Sequence, residues 1–233
     1  RSMMGDKTDH FHRISYRVDG QEVPAYHLDA SPALVVRHAL AVLFDGTVPD
    51  VVLSGINYGE NLGSNVTISG TVGAAFQAAS QGIPALAVSR QTDIEHHYVY
   101  GDLDWADATR VARTYVERVL DAARDGARGA GLPFDVLKVD VPYHCPPGTE
   151  ERITRLSRKH YFYSTLPNVR PDSRPEESIT SINGDAHELS PDEDIYAVAV
   201  DEVVSVTPLT LDCTASLERT GDLLSVDARL RAR

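Results

Sequence analysis

Cysteine is scarce in this chain, with only Cys145 and Cys213 among 233 residues. Two thiols make no disulfide framework, and neither stands in a Cys-x-x-Cys or Cys/His spacing that would hold zinc, so both read as free thiols. Long apolar runs are missing as well. No stretch approaches the roughly 20 residues a membrane helix needs, and no charged stretch followed by an apolar run and cleavage site opens the chain. A cytoplasmic location without membrane contact is therefore expected. Positive charge is in the minority, with 22 Lys and Arg against 34 Asp and Glu for a net charge of −12. Affinity for a phosphate polymer comes from cationic neutralisation, so this balance disfavours nucleic-acid binding, although a small anion can still bind where a local site overrides the global field. Arg1 stands where an initiator methionine would, and the chain is expected to be a processed or partial form.

What is present is apolar content of 42%, sufficient to bury a sizeable core. Residues 6–28 alternate apolar and polar around Asp19-Gly20, which predicts a peripheral hairpin. Ser31-Pro32 reads as an N-cap with proline in the first turn, opening an amphipathic helix that runs to Gly46. Residues 50–53 form a short β-branched run expected to be a strand buried on both faces. A glycine-rich stretch, residues 54–65, follows directly, and Ser69-Gly70-Thr71 then opens a small-residue helix closed by Gly82. Residues 84–89 read as another buried strand. Strand, helix, strand is a βαβ unit, predicting a parallel sheet with a right-handed crossover. A longer helix over 105–123 and a strand over 136–141 come next. From Pro142 onward, proline, basic and aromatic residues mark an extension, and 203–211 returns to strand character.

In open α/β sheets a ligand sits beyond the carboxyl ends of the strands, where a following helix points free backbone amides outward. Residues 54–71 occupy that place. Gly55, Gly59 and Gly70 allow close backbone approach, Asn57 and Asn61 offer neutral oxygen ligands or donors, and Ser69 and Thr71 flank a helix N-terminus. The combination suits a phosphate beside a hard cation. Taken one by one, the same residues make tight turns and a helix cap. His10, His12, His96, His97 and His144 read as exposed or partly packed imidazoles, and Arg152, Arg155, Arg158 and Lys159 as a solvated or interfacial salt-bridge set.

The string VVLSGINYGENLGSNVTISGTVGAAFQAASQGIPALAVS, residues 51–89, resembles the signature of the SurE family of metal-dependent nucleoside-monophosphate phosphatases. Val139-Asp140-Val141-Pro142 is similar to that family's Asn-Val-Pro strand end, and residues 153–161 to its Thr-Arg-x-x-x-Arg-x-x-Tyr stretch. The resemblance implies a Rossmann-like α/β fold: a mostly parallel sheet with helices on both faces and a C-terminal β-rich extension used in oligomerisation. The expected division is a core over 1–145, an arm over 146–211 that returns to the core, and a C-terminal segment over 212–233. It further implies hydrolysis of nucleoside 5′- or 3′-monophosphates with magnesium or manganese, in a homodimer or homotetramer. Asn57 and Ser2 become metal ligands, and Ser69, Gly70 and Thr71 lie at the phosphate.

Two departures stand against this. The family's first strand ends in Asn-Asp-Asp-Gly, whose aspartates supply anionic metal ligands and acid/base chemistry. No such string occurs in the 233 residues, so no catalytic residue is assigned. Residues 29–35 also differ from the family's Gly-Thr-Pro-Ala-Asp-Cys-Val, leaving base or sugar preference open. The alternative expectation is a catalytically inactive relative that binds nucleotides or anions.

Overall fold

The computed structural model describes residues 9–94, 101–124, 131–183 and 188–216, together with residues 185 and 220. Its centre is a five-stranded sheet in the order β3-β4-β5-β9-β6, formed by β3 (Val52–Tyr58), β4 (Ala85–Arg90), β5 (Val136–Val141), β9 (Val204–Leu209) and β6 (Glu151–Ile153). The pairs β3/β4, β4/β5 and β6/β9 are parallel and β5/β9 is antiparallel. The α/β class and the mostly parallel sheet expected from the sequence are both present.

Strand alternation explains how the core fills. Leu86 and Val88 of β4, with Leu137, Val139 and Val141 of β5, point to the face covered by α3 (Ala106–Arg124). Ala85, Ala87 and Val136 point to the other, where α2 (Gly70–Ala79) packs. Buried Ala108, Val111, Ala112, Tyr115 and Val119 of α3 recur at helical spacing, while Asp107 in its first turn and Arg124 in its last complement the helix dipole. Helix α1 (Pro32–Val42) lies against α2; its Ser31 N-cap accepts from the Leu34 amide at 3.4 Å, as the Ser-Pro pair predicts. A Cβ at Gly70 would sit 3.0 Å from Pro32 Cγ, so that glycine sets how closely the two helices approach.

Among the described residues, two hairpins stand outside the sheet. The expected N-terminal one is β1 (His12–Val18) with β2 (Gln21–His27), turning at Asp19-Gly20, and its residues are largely exposed. The other, β7 (Phe162–Thr165) with β8 (Ile179–Ile182), lies in the extension. The same extension returns β6 and β9 to the central sheet. With the short helix α4 (Asp194–Ala199) it also builds a third core cluster of Leu62, Tyr161, Leu189, Ile195 and Val198.

One element departs from expectation. The strand read at 50–53 as buried on both faces runs on to Tyr58 and is the sheet edge among the described residues, with Leu53 42% exposed. An apolar run reports that a strand is apolar, not whether a second neighbour pairs with it.

Candidate active site

Loop geometry at the end of β3 follows from its glycines. Gly55 has φ +118°, and a Cβ there would run into the Val88 carbonyl oxygen of β4; Gly59, at φ +86°, turns the chain out of the strand. Asn57 Nδ2 donates to the Tyr58 and Gly59 carbonyl oxygens at 3.0 and 2.7 Å. Its Nδ2 is thus occupied by the loop itself, which leaves Oδ1 as the atom able to accept or ligate. Asn61 Nδ2 donates to Ser89 Oγ at 2.5 Å, tying the loop to the end of β4. A 3-10 turn over Ser64–Ile68 then delivers Ser69, whose Oγ accepts from the Val72 amide at 3.1 Å and caps α2.

These segments wall a cleft of about 580 Å³ lined by Asn57, Tyr58, Gly59, Glu60, Asn61 and Ser69, and on the extension side by His160, Phe162, Ser164 and Thr180. Four of the site residues predicted from sequence, Asn57, Gly59, Asn61 and Ser69, therefore meet in one cleft. Gly55, Gly70 and Thr71 are not among its lining residues: Gly55 lies inside β3 and Gly70 against α1. Ser2 lies outside the described residues, as do His96 and His97.

Beneath the loop is a buried charge cluster that sequence reasoning missed. Lys138 Nζ pairs with Asp140 Oδ2, and with Asp194 Oδ2 at 3.1 Å, all three side chains being fully buried. Burial works against the Lys138 ammonium, but the two aspartates outweigh it and hold its pKa up; burial pushes Asp140 up against the pull of Lys138. Both carboxylates also hold the loop. Asp140 Oδ1 accepts from the Asn61 amide at 2.7 Å and Asp194 Oδ2 from the Gly63 amide at 3.0 Å. The signal was available: Lys138 and Asp140 are charges two apart in a strand otherwise apolar, so both face the same side of the sheet.

Glu60, also missed, is 3% exposed. Burial first, then Asp140, pushes its carboxyl up to about 7 against its own backbone amide, Tyr161 and Thr92; Oε2 accepts from the Thr92 amide at 3.4 Å, while among the described residues Oε1 has no hydrogen-bond partner. A second cleft of about 420 Å³ opens beside Arg90, whose guanidinium lies 5.7 Å from the Trp105 ring centroid and 5.4 Å from that of Tyr143. Arg152, Arg155 and Lys159 pair within the chain with Asp201, Asp192 and Glu188.

A profile of the family described as Survival protein SurE matches residues 1–163. The chain belongs to the SurE family. It is 36% identical over 201 residues to the 5′-nucleotidase SurE of Thermococcus kodakarensis, covering 85% of this chain and 72% of that one. With the 5′-nucleotidase SurE of Methanococcus maripaludis strain C6 it shares 38% identity over 174 residues, 72% of this chain and 61% of the relative. The crystal structure of the SurE protein from Aquifex aeolicus superposes with a TM-score of 0.68 at 25% identity, over 96% of this chain and 83% of that one. Where the SurE resemblance implies a divalent cation, the fit of the residues can be tested. Hard cations take several oxygen ligands and favour carboxylates. Among the described residues the cleft offers Asn57 Oδ1 and, as its one carboxyl, the deeply buried Glu60. That set alone does not make a magnesium or manganese site. Asp9, His10 and His12 bring one potential ligand atom each within 4.8 Å of one another on the N-terminal side, and none of them lines the cleft.

Proposed function

We propose that this SurE-family chain is a phosphomonoesterase that hydrolyses nucleoside monophosphates to nucleoside and phosphate, with a divalent cation, magnesium or manganese, as its cofactor. The observation that carries this reading is the convergence of Asn57, Gly59, Asn61 and Ser69 on one cleft at the carboxyl end of β3. It is supported by 36–38% identity to proteins named 5′-nucleotidase SurE. In this reading Ser69 hydrogen-bonds the phosphate at the start of α2, where the helix dipole favours negative charge. Gly55, Gly70 and Thr71 keep the backbone around it close and correctly turned. Asn57 Oδ1 would serve as one neutral ligand, with Ser2 as a second, and the cation, when bound, would polarise the phosphoryl group. The anionic ligands such a cation needs are not among the cleft's described residues, so no further step is derived through it. The 146–211 arm is assigned to oligomerisation, as dimer or tetramer, because it exposes Ile153, Val169, Ile179 and Ile182.

Phosphate release from a panel of nucleoside monophosphates with manganese, before and after chelation, tests the reading. Turnover that vanishes with EDTA and returns with manganese is expected; metal-independent turnover contradicts the cofactor assignment. The absence of a carboxylate pair from the described cleft favours one rival, a nucleotide- or anion-binding protein without turnover. That rival predicts a raised Tm with nucleotide and no phosphate released.

A further inference from the structure

The cleft has two chemically distinct walls. Asn57, Asn61 and Ser69 present amide and hydroxyl groups beside the buried Glu60, and among the described residues no Lys or Arg lines the cleft. The other wall is built from Ile68 and the β7–β8 hairpin. Ile68 is 84% exposed although it borders the cleft. In the hairpin register Phe162 pairs with Ile182 and Ser164 with Thr180, so Phe162, Ser164 and Thr180 share one face, and all three line the cleft, with Tyr163 of the same strand also bordering it.

That wall is held firmly in place. Asn65 Oδ1 accepts from the Tyr161 and Phe162 amides at 2.8 and 3.0 Å, and its Nδ2 donates to the Phe162 carbonyl oxygen at 2.9 Å. The Ser64 amide donates to the Lys159 carbonyl oxygen at 2.8 Å, and Gly63 bridges to His160. One asparagine therefore fixes Phe162 against the same loop that carries Ser69. A strand hairpin fastened this tightly to the glycine loop is part of the cleft and not merely an appendage beside it.

We propose that Ile68 and the Phe162/Ser164/Thr180 face of the hairpin form the nucleobase wall of the cleft, packing the base on Ile68 and Phe162 and reading its polar edge with the two hydroxyls. The inference rests on the nucleoside-monophosphate reading and adds where the base is recognised. A volume of about 580 Å³ falls within the range of small-molecule sites. An amide-rich wall joined to an apolar, aromatic one matches a ligand with a phosphate at one end and a planar ring at the other. A plain sugar phosphate would leave the Ile68 and Phe162 surface wet. Discrimination among bases then belongs to the arm, and phosphate binding to the glycine loop.

The test compares wild type with Ile68→Ser, an exposed position where the fold is not at stake, and with Thr180→Val, which removes a hydroxyl at nearly constant shape. The ratio of kcat/KM for a nucleoside monophosphate to that for ribose 5-phosphate is measured, alongside direct binding of adenosine, cytidine and guanosine. Ile68→Ser is expected to lower the ratio roughly tenfold, about the loss from exposing one partly buried aliphatic contact, and to weaken nucleoside binding in step. Thr180→Val is expected to change the order of preference among the bases. Equal losses on both substrates, or nucleoside affinity indifferent to Ile68→Ser or absent in wild type, would overturn the proposal. If no phosphomonoester is turned over, the phosphatase reading fails, and nucleoside binding still decides the wall.

Discussion

Glu60 is an acid that the fold keeps from ionising until near neutrality. Its carboxyl is pushed up to about 7 by burial, whereas in the unfolded chain it titrates near 4.3. Below about pH 4 both states hold the proton and its contribution to stability is fully present. As pH rises toward 7 the unfolded chain ionises first, so stability is lost, by roughly 4 kcal/mol over that window. Glu60→Gln removes this titration. The Tm of Glu60→Gln relative to wild type should therefore climb between about pH 4 and pH 7 and level off above that; parallel profiles would contradict the assignment. The groups facing Glu60, namely Asp140, Tyr161 and Thr92, stay in place in both proteins. Gly55 offers a backbone test. Its φ of +118° and the Val88 carbonyl beside it leave no room for a side chain, so Gly55→Ala should lower unfolding free energy by at least about 2 kcal/mol in urea. Unchanged stability would show that the β3–β4 contact is looser than described.

At the scale of elements, the cluster of Lys138, Asp140 and Asp194 joins β5 and α4 to the loop between β3 and α2. Lys138→Met strands two buried carboxylates and should cost about 3–5 kcal/mol. Asp194→Ala is expected to speed hydrogen exchange at the Gly63 and Ser157 amides, both of which donate to that carboxylate, and unaltered exchange would remove its clamping role. Much of the element layout was legible because it is local. Ser31-Pro32 and Ser69-Gly70 announce helix starts through their caps, and Ala85 to Arg90 reads as a buried strand from its own composition. The clamp was not legible in the same way, since Asp194 reaches Lys138 only through the return of α4. Nor could sequence tell that Phe162 faces the cleft: the relevant bonds, from the Tyr161 and Phe162 amides to Asn65 Oδ1, span 96 and 97 residues. The edge position of β3 is likewise a fact about neighbours, which no apolar run encodes.

Across the whole molecule, the cleft's polar side chains collect at one end of a sheet whose two faces are filled by α2 and α3, while the extension both adds to the sheet through β6 and β9 and borders the cleft through β7 and β8. Among the described residues no helix is long and apolar enough to cross a membrane. The apolar side chains exposed on the extension argue for a dimer or tetramer at micromolar concentration by light scattering, and a monomer there would contradict the role given to the arm. The central claim is that the Asn57–Ser69 cleft hydrolyses nucleoside monophosphates, and its most direct test is manganese-dependent phosphate release by wild type and Asn57→Ala side by side, with the intact mass of each protein checked. Turnover by wild type that falls at least about a hundredfold in Asn57→Ala, with both proteins folded, is the predicted result. Equal turnover by the two would place the chemistry elsewhere, and no turnover by wild type would contradict the phosphatase reading itself.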